Sequence, residues 1–238
     1  MLCLYSSFKS IHSFKPISSL FYHCESSLGL LTIRCFRMPS EKRDSIMSES
    51  QPNDTSKQVA LSEEDLHSQQ FIRNRAFFGD AGQLSIEKGF VTIVGLGGVG
   101  SHTAHMLARS GIGKFKFIDF DVVTVSSLNR HSVATRKDIG KSKVEVMRDH
   151  ILEFNPIAEI EVHNTILSKE NVNDLLNDDA DFIVDCIDDF TTKTDLLEYC
   201  IKTNRKVISS MGSGCRSNTT SLLVTNITDV KCIPIFQD

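Results

Sequence analysis

The chain has 238 residues, of which 40% are hydrophobic and 24% charged; these near-average values exclude fibrous and wholly disordered proteins and allow one α/β domain with extensions. Its net charge of −4 excludes a protein that is basic throughout, although the acidic residues are spread unevenly enough to leave a local basic face. Seven cysteines without a Cys-x-x-Cys pair argue against a zinc knuckle or a dense disulfide framework, and the lack of a run of about 20 apolar residues argues against a transmembrane helix.

The first 57 residues are predicted to form a leader followed by a polar linker. Residues 1–37 are rich in serine and carry four basic residues against one acidic residue. This composition is typical of transit peptides, and equally of unstructured leaders that carry no address. We therefore expect either a mitochondrial or a cytoplasmic location. Residues 58–230 are predicted to form the folded domain, and residues 231–238 a divergent tail.

Strand and helix patterns alternate through the predicted domain. A helix begins near residue 61, where Ser62 is followed by acidic residues that suit a helix N-terminus. Short β-branched and aromatic runs predict strands at residues 90–94, 115–118, 160–162, 182–186 and 206–209. Helical spacing predicts helices at residues 102–109, 142–154, 171–177 and 194–203. This alternation predicts an α/β fold with a doubly wound, mostly parallel sheet of the Rossmann type.

A glycine-rich loop, G-x-G-x-x-G, follows the first predicted strand and opens a helix. In such loops the glycines permit a tight turn, close approach of the backbone to a phosphate, and close packing of helix on strand. The helix N-terminus adds unpaired N–H groups, which bind phosphates. Asp119 ends the second strand, where an acid can accept hydrogen bonds from a ribose. The predicted nucleotide contacts of the loop are Gly95, Gly97, Gly98, Gly100 and Ser101.

Two basic residues beyond Asp119 distinguish between the two nucleotides that the loop would allow, NAD and ATP. The loop and Asp119 alone would favour a nicotinamide-dependent dehydrogenase. Arg130 and Lys143, however, follow the ribose acid, and two cations there suit a triphosphate that is cleaved better than a hydride carrier. Each of the two could also be a solvated surface charge. The sequence therefore favours ATP over NAD.

The motifs resemble, in order and spacing, the adenylation core of the ubiquitin-activating-enzyme superfamily, also called the ThiF-like domain. They are GLGGVGS at residues 95–101, DFD at 119–121, LNR at 128–130, GKSK at 140–143 and DCIDD at 185–189. Within that superfamily, the phrases SSLNRHS, FIVDCID and KVISSMG resemble the eukaryotic tRNA threonylcarbamoyladenosine dehydratases. The resemblance covers about residues 70–230.

The resemblance implies roles for individual residues. Asp119 would hold the ribose, Arg130 and Lys143 the triphosphate, and Asp188 a Mg²⁺ ion on the phosphates. Further implied nucleotide contacts are Asp121, Ser127 and Asn129.

A trans arginine is implied as well. Arg73 would reach the γ-phosphate in the partner subunit of a homodimer, with Arg75 as a nearby alternative. Family resemblance also allows association with the mitochondrial outer membrane.

The implied reaction is the ATP-dependent cyclisation of threonylcarbamoyladenosine next to the tRNA anticodon, with net loss of water. Adenylation of the substrate carboxylate provides AMP as a leaving group, and the substrate's own carbamoyl group then closes the ring. Because that nucleophile belongs to the same molecule, the enzyme needs charge stabilisation more than a base. No catalytic cysteine is required, so Cys215 is interpreted as an ordinary loop residue, with a nucleophile as the alternative; Cys186 is interpreted as core.

The match fades after residue 230, where the family continues with a basic portion. Two alternatives to the tRNA enzyme therefore remain: an adenylating enzyme for a ubiquitin-like or sulfur-carrier protein, and a truncated nucleotide-binding relative without activity. We expect ATP binding but weak activity on tRNA. If tRNA binding is normal, the glycine-loop domain itself should carry the surface, through Lys193, Lys202, Arg205 and Lys206.

Overall fold

Five parallel strands form the centre of the fold in the computed structural model, which describes residues 62–212 and 224–226. The strands lie in the order β3-β2-β1-β4-β5, with β1 in the middle. Their bounds are β1 Phe90–Val94, β2 Lys114–Ile118, β3 Glu159–His163, β4 Phe182–Asp185 and β5 Val207–Ser209. The predicted doubly wound parallel sheet is confirmed, and every neighbouring pair in it is parallel.

Seven α-helices accompany the sheet within the described residues. They are α1 Glu63–Gln70, α2 Ile72–Phe78, α3 Asp80–Glu87, α4 Gly98–Arg109, α5 Lys143–Phe154, α6 Val172–Leu176 and α7 Phe190–Lys202. Two 3-10 turns, Val125–Ser127 and Arg136–Asp138, interrupt the long connection from β2 to α5. The interpretations of the leader, of Cys215 and of the tail fall outside the described residues, so the domain limits stay a prediction.

Two apolar layers cover the two faces of the sheet. On one face, α4 and α5 pack against Ile93, Phe115 and Phe117. On the other face, α6 and α7 pack against Ile118 and Ile183. All five residues of β1 are buried, which is why this strand reads as a continuous apolar run rather than an alternating one.

Two helices begin earlier than predicted. Helix α4 begins at Gly98 rather than at residue 102, because glycines of the loop already adopt the first helical turn. Helix α7 begins at Phe190 rather than at residue 194, because Asp189 caps it by accepting a hydrogen bond from the backbone N–H of Thr192 at 2.7 Å. Helices α2 and α3 were not predicted.

Lys116 is a buried charge within the central sheet. It is 6% exposed; its Nζ forms an ion pair with Asp178, 2.8 Å from Oδ2, and donates a hydrogen bond to the Leu175 carbonyl at 3.1 Å. Arg205 donates to the other Asp178 oxygen at 2.8 Å. These bonds tie β2 to the end of α6 and to the turn before β5, so a buried cation here acts as a cross-link.

None of the helices in the described part of the chain is both long enough and apolar enough to cross a lipid bilayer.

Phe117 should be a sensitive position for stability. Its side chain is fully buried between β2 and the α4–α5 layer, so Phe117→Ala should lower the free energy of unfolding by about 3–5 kcal/mol. Phe190→Ala is the matched control, since that ring is 80% exposed and its loss should change stability by about 0.5 kcal/mol or less. Urea unfolding of both variants measures the difference; equal midpoints would contradict this packing.

Candidate nucleotide-binding site

The glycine loop is built around one close backbone contact. A Cβ at Gly100 would lie 1.8 Å from the carbonyl oxygen of Gly95, so no side chain fits there. Gly95 has φ +88, a conformation that favours glycine, and its N–H donates to the Ile118 carbonyl at 2.8 Å. These two residues bring the start of α4 directly against the end of β1.

The outer side of the loop is open. Among the described residues, a Cβ at Gly97 would have no neighbour within 4 Å. Gly98 lies beside the aliphatic part of the Arg130 side chain, whose Cδ would be 3.3 Å from a Cβ there. The first N–H groups of a helix have no partner within that helix, so α4 directs free donors toward this open side.

Asp119 braces the loop. Its Oδ2 accepts a hydrogen bond from the Leu96 N–H at 2.5 Å, and its Oδ1 accepts one from the Asp121 N–H at 2.8 Å. Burial raises the pKa of this carboxyl, against the lowering effect of those two bonds. Each oxygen keeps a second acceptor position, so the carboxylate can brace the loop and still accept a bond from a hydroxyl.

Lys143 and Asp121 form an ion pair at the start of α5. Lys143 Nζ donates to Asp121 Oδ2 at 2.6 Å, and the Lys143 N–H donates to the Asp121 carbonyl at 3.1 Å. The Lys143 side chain is 7% exposed and that of Asp121 is 48% exposed. The lysine therefore lies beneath a carboxylate that faces the solvent.

Arg130 is exposed and folds back onto its own turn. Its Nη1 donates to the Ser126 carbonyl at 2.6 Å and to Asn129 Oδ1 at 3.3 Å. The other guanidinium donors make no hydrogen bond within residues 62–212. The structure thus places Arg130 on the same side of the loop as Gly98, with Asn129 orienting it, and its contact with a triphosphate stays a prediction.

The two serines among the predicted contacts have internal partners. Ser127 is 4% exposed, and its hydroxyl bonds the Thr124 N–H at 3.2 Å and the Thr124 hydroxyl at 2.9 Å. The hydroxyl of Ser101 accepts a bond from the Ser132 N–H at 3.0 Å. Both hydroxyls therefore hold the loop that carries Arg130, and a role as direct nucleotide contacts stays a prediction.

His131 was not selected from the sequence, yet it is buried in the same motif. Its Nδ1 accepts from the backbone N–H groups of Ala134 at 3.1 Å and Val133 at 3.4 Å. Burial, followed by the charge of Lys143, lowers its pKa to about 4. The ring is therefore neutral, with its proton on Nε2, an atom that is buried without a hydrogen-bond partner in the described structure.

Asp188 lies in the exposed loop after β4, and a buried ion pair anchors that loop. Lys193 Nζ donates to Asp185 Oδ2 at 2.5 Å and to the Ser210 carbonyl at 3.1 Å. The other Asp185 oxygen accepts from the Ile187 N–H at 3.0 Å. The loops after β4 and β5 are thereby joined next to Asp188, and the sequence gives no signal for this link because Ser210 follows Lys193 only after 17 residues.

Arg73 and Arg75 differ in what they contact. Arg75 Nη2 lies 2.9 Å from Glu87 Oε1, and its Nη1 lies 3.9 Å from Asp80 Oδ1. Arg73 is exposed on α2 and forms no ion pair within residues 62–212. Of the two alternatives, Arg73 is the one that remains available to another molecule.

Two members of the tRNA surface predicted from the sequence are not available for it. Lys193 cannot serve a tRNA surface, because it is 8% exposed and paired with Asp185. Arg205 is occupied by Asp178 and the Leu176 carbonyl.

Cys186 packs, partly buried, against the apolar core, in line with its interpretation as a core residue, although β4 ends one residue before it. Burial raises its pKa to about 11, so its thiol stays protonated.

Known proteins with similar sequences and structures match this domain. The model of the ThiF family matches residues 71–237. The tRNA threonylcarbamoyladenosine dehydratase 2 of Saccharomyces cerevisiae is 42% identical over 176 residues, which is 71% of this chain and 39% of that protein. The crystal structure of the E. coli tRNA N6-threonylcarbamoyladenosine dehydratase TcdA in complex with ATP superposes with a TM-score of 0.67 at 30% identity, covering 72% of this chain and 70% of that one.

A second group of relatives has a different activity in its name. The adenylyltransferase and sulfurtransferase MOCS3 of Drosophila grimshawi is 35% identical over 132 residues, which is 56% of this chain and 29% of that protein. The chain thus spans well under half of the length of the yeast and fly relatives. Since the family model covers more than half of the 238 residues, and the glycine loop, Asp119, Arg130 and Lys143 all fall within the match, the chain belongs to the ThiF family.

Proposed function

We propose that this chain binds ATP with Mg²⁺ and uses it to dehydrate, by cyclisation, the threonylcarbamoyladenosine next to a tRNA anticodon. The observation that carries the proposal is the meeting of the glycine loop, Asp119, Arg130 and Lys143 at one edge of the sheet. Similarity to dehydratases from yeast and bacteria, including a structure with bound ATP, supports this substrate class.

The residues present fit a nucleotide triphosphate. The open side of Gly97 leaves room for phosphates beside the free N–H groups of α4. Arg130 has guanidinium donors to spare, and Lys143 needs only to exchange one oxygen anion, that of Asp121, for another. Asp188 suits Mg²⁺, which binds through one or two carboxylates together with substrate phosphates.

The proposed reaction needs the protein mainly to supply positive charge near the phosphates and to hold the ATP in position. A carboxylate cannot release oxide near neutral pH, and bound ATP would supply AMP as the leaving group instead. Arg130 and Lys143 would stabilise the charge that grows on the phosphates, and Asp119 would fix the ribose. The neutral Nε2–H of His131, close enough to Lys143 for its pKa to be affected, would remain an uncharged donor throughout.

The active unit is proposed to be a homodimer, because Arg73 is exposed and forms no ion pair with the described residues of its own subunit. The surface around it on α2 and α3 exposes apolar side chains: Ile72 is 56% exposed, Phe77 62% and Leu84 48%. Exposed apolar patches of this kind mark protein contacts. A second subunit would cover these side chains and receive the guanidinium of Arg73.

The proposal for the cellular location of the protein rests on its leader, residues 1–37. The basic, serine-rich composition of residues 1–37 supports mitochondrial targeting, and outer-membrane association is the narrower form of that proposal. A fluorescent fusion of those residues that remains in the cytoplasm would favour the cytoplasmic alternative.

The adenylation of a ubiquitin-like or sulfur-carrier protein is the second candidate, favoured by the similarity to MOCS3. ATP–pyrophosphate exchange by the purified chain separates the candidates. We expect exchange that depends on tRNA carrying threonylcarbamoyladenosine, followed by slow loss of water from the modified base. Exchange with a carrier protein alone would support the second candidate, and ATP binding without exchange on either would support an inactive relative. Tight binding of NAD without ATP would refute all three.

Replacing Lys143 should affect turnover more than ATP affinity. Lys143→Ala removes a charge that acts as the bond to the α-phosphorus forms, so turnover should fall about a hundredfold or more while ATP affinity falls less than tenfold. Arg148→Ala, on the same helix but paired with Asp149, should keep turnover within about twofold. Unchanged turnover in Lys143→Ala, with a tenfold loss of affinity, would contradict this role.

Complementation should reveal the shared site. Arg73→Ala and Lys143→Ala chains, each inactive alone, should recover about one quarter of normal activity after mixing and exchange of subunits, because half the dimers are mixed and each holds one intact site. Light scattering confirms the dimers. No recovery among confirmed mixed dimers would place Arg73 outside the partner's site.

A further inference from the structure

The connection from β2 to α5 is positively charged, whereas the chain as a whole is negatively charged. Residues 119–143 contain five lysine and arginine residues and three acids, Asp119, Asp121 and Asp138, and thus have a net charge of +2, whereas the whole chain has a net charge of −4. Both ends of this connection lie at the carboxyl edge of the sheet, because it leaves β2 after Ile118 and enters α5 at Lys143. A local positive surface therefore lies at the same edge as the nucleotide site.

The central part of the connection, residues 135–141, is a fixed turn that we call the basic turn. Asp138 Oδ2 accepts from the Thr135 N–H at 3.0 Å and the Thr135 hydroxyl at 2.7 Å, and its Oδ1 accepts from Lys141 Nζ at 2.9 Å. These bonds, that of Lys141 first, lower the pKa of Asp138 to about 2. The one acid is thus used to close the turn and is matched by one of its cations.

Backbone bonds attach the basic turn to the strand-like segment after Asp121. The Gly140 N–H donates to the Val123 carbonyl at 2.8 Å, and the Val123 N–H donates to the Lys141 carbonyl at 2.8 Å. Val122 and Ser142 also form an antiparallel bridge. The position of the turn relative to Asp121 and Lys143 is therefore set by the fold.

Two cations remain free on this support. Arg136 and Lys137 are exposed, and neither takes part in a hydrogen bond or ion pair among residues 62–212. They precede Lys143 by seven and six residues, so at most about 25 Å of chain separates them from the phosphate-facing lysine. Because the backbone of the turn is already fixed, binding a polyanion would have to order only the two side chains and not the loop that carries them.

We propose that Arg136 and Lys137 of the basic turn contact the phosphate backbone of the tRNA anticodon arm and align its modified adenosine with the nucleotide site. This inference rests on the proposed function, which requires a nucleotide of a large polyanion to reach the carboxyl edge. Fixed, unpaired cations beside that edge match the phosphate backbone, which dominates RNA affinity through counterion release. The surface differs from the one predicted from Lys193, Lys202, Arg205 and Lys206, of which Lys193 and Arg205 are ion-paired with Asp185 and Asp178.

Fluorescence anisotropy with a labelled anticodon stem-loop carrying threonylcarbamoyladenosine tests the surface. Arg136→Ala/Lys137→Ala should bind about tenfold more weakly than the unaltered chain, and its salt slope should fall by about 2, which is about 1 for each lost phosphate contact. The matched control is Lys88→Ala/Arg109→Ala, which also removes one lysine and one arginine that are exposed, but at the opposite, amino edge of the sheet, before β1 and at the end of α4. The control should keep the affinity and the slope.

Calorimetric titration with ATP separates the RNA contact from the nucleotide site. Neither double variant should change ATP affinity, and reduced ATP affinity in Arg136→Ala/Lys137→Ala would assign the turn to the nucleotide and overturn the proposal. Equal RNA binding by all three proteins would overturn the surface while leaving the proposed function intact. No stem-loop binding by the unaltered chain, or binding only to phosphatidylcholine vesicles that contain phosphatidylserine, would overturn both the surface and the tRNA substrate.

Discussion

The whole nucleotide edge depends on the absence of one side chain, at position 100. Because a Cβ there would overlap the Gly95 carbonyl, only glycine lets the first turn of α4 lie against the end of β1. This close contact between helix and strand places the Leu96 N–H within hydrogen-bonding distance of Asp119 Oδ2, and it places Gly98 beside Arg130. Strand, helix and the β2–α5 connection thus meet at a single backbone contact.

The order of strands and helices was readable from the sequence, since each buried strand is a short apolar run between polar or glycine-rich segments. The start of α7 could also have been read, because Asp189 and Thr192 form a recognisable cap. The start of α4 was harder: glycine is a poor helix former, and only the contact with Gly95 makes the first turn helical.

The sequence could not predict which residues form ion pairs with Lys193 and Arg205. Lys193 pairs with Asp185, eight residues away across the turn between a strand and a helix, and Arg205 pairs with Asp178, which is 27 residues earlier. A lysine or arginine in a helix or turn is usually solvated, and nothing local distinguishes these two. Their burial follows from parallel strand order, which places β4 and β5 side by side. By contrast, Arg136 and Lys137 stay free because the single nearby acid, Asp138, is committed to closing the turn.

His131 stays uncharged in the motif that also contains Arg130 and Lys143. Two backbone N–H groups occupy its Nδ1 and burial lowers its pKa to about 4, so the ring gains no charge on moving from mildly alkaline to mildly acidic conditions. The other two basic residues of the motif are Arg130 and Lys143. His131 adds no third positive charge to them between mildly acidic and mildly alkaline pH. A move between compartments within that pH range would therefore not change the charge of the site through this ring.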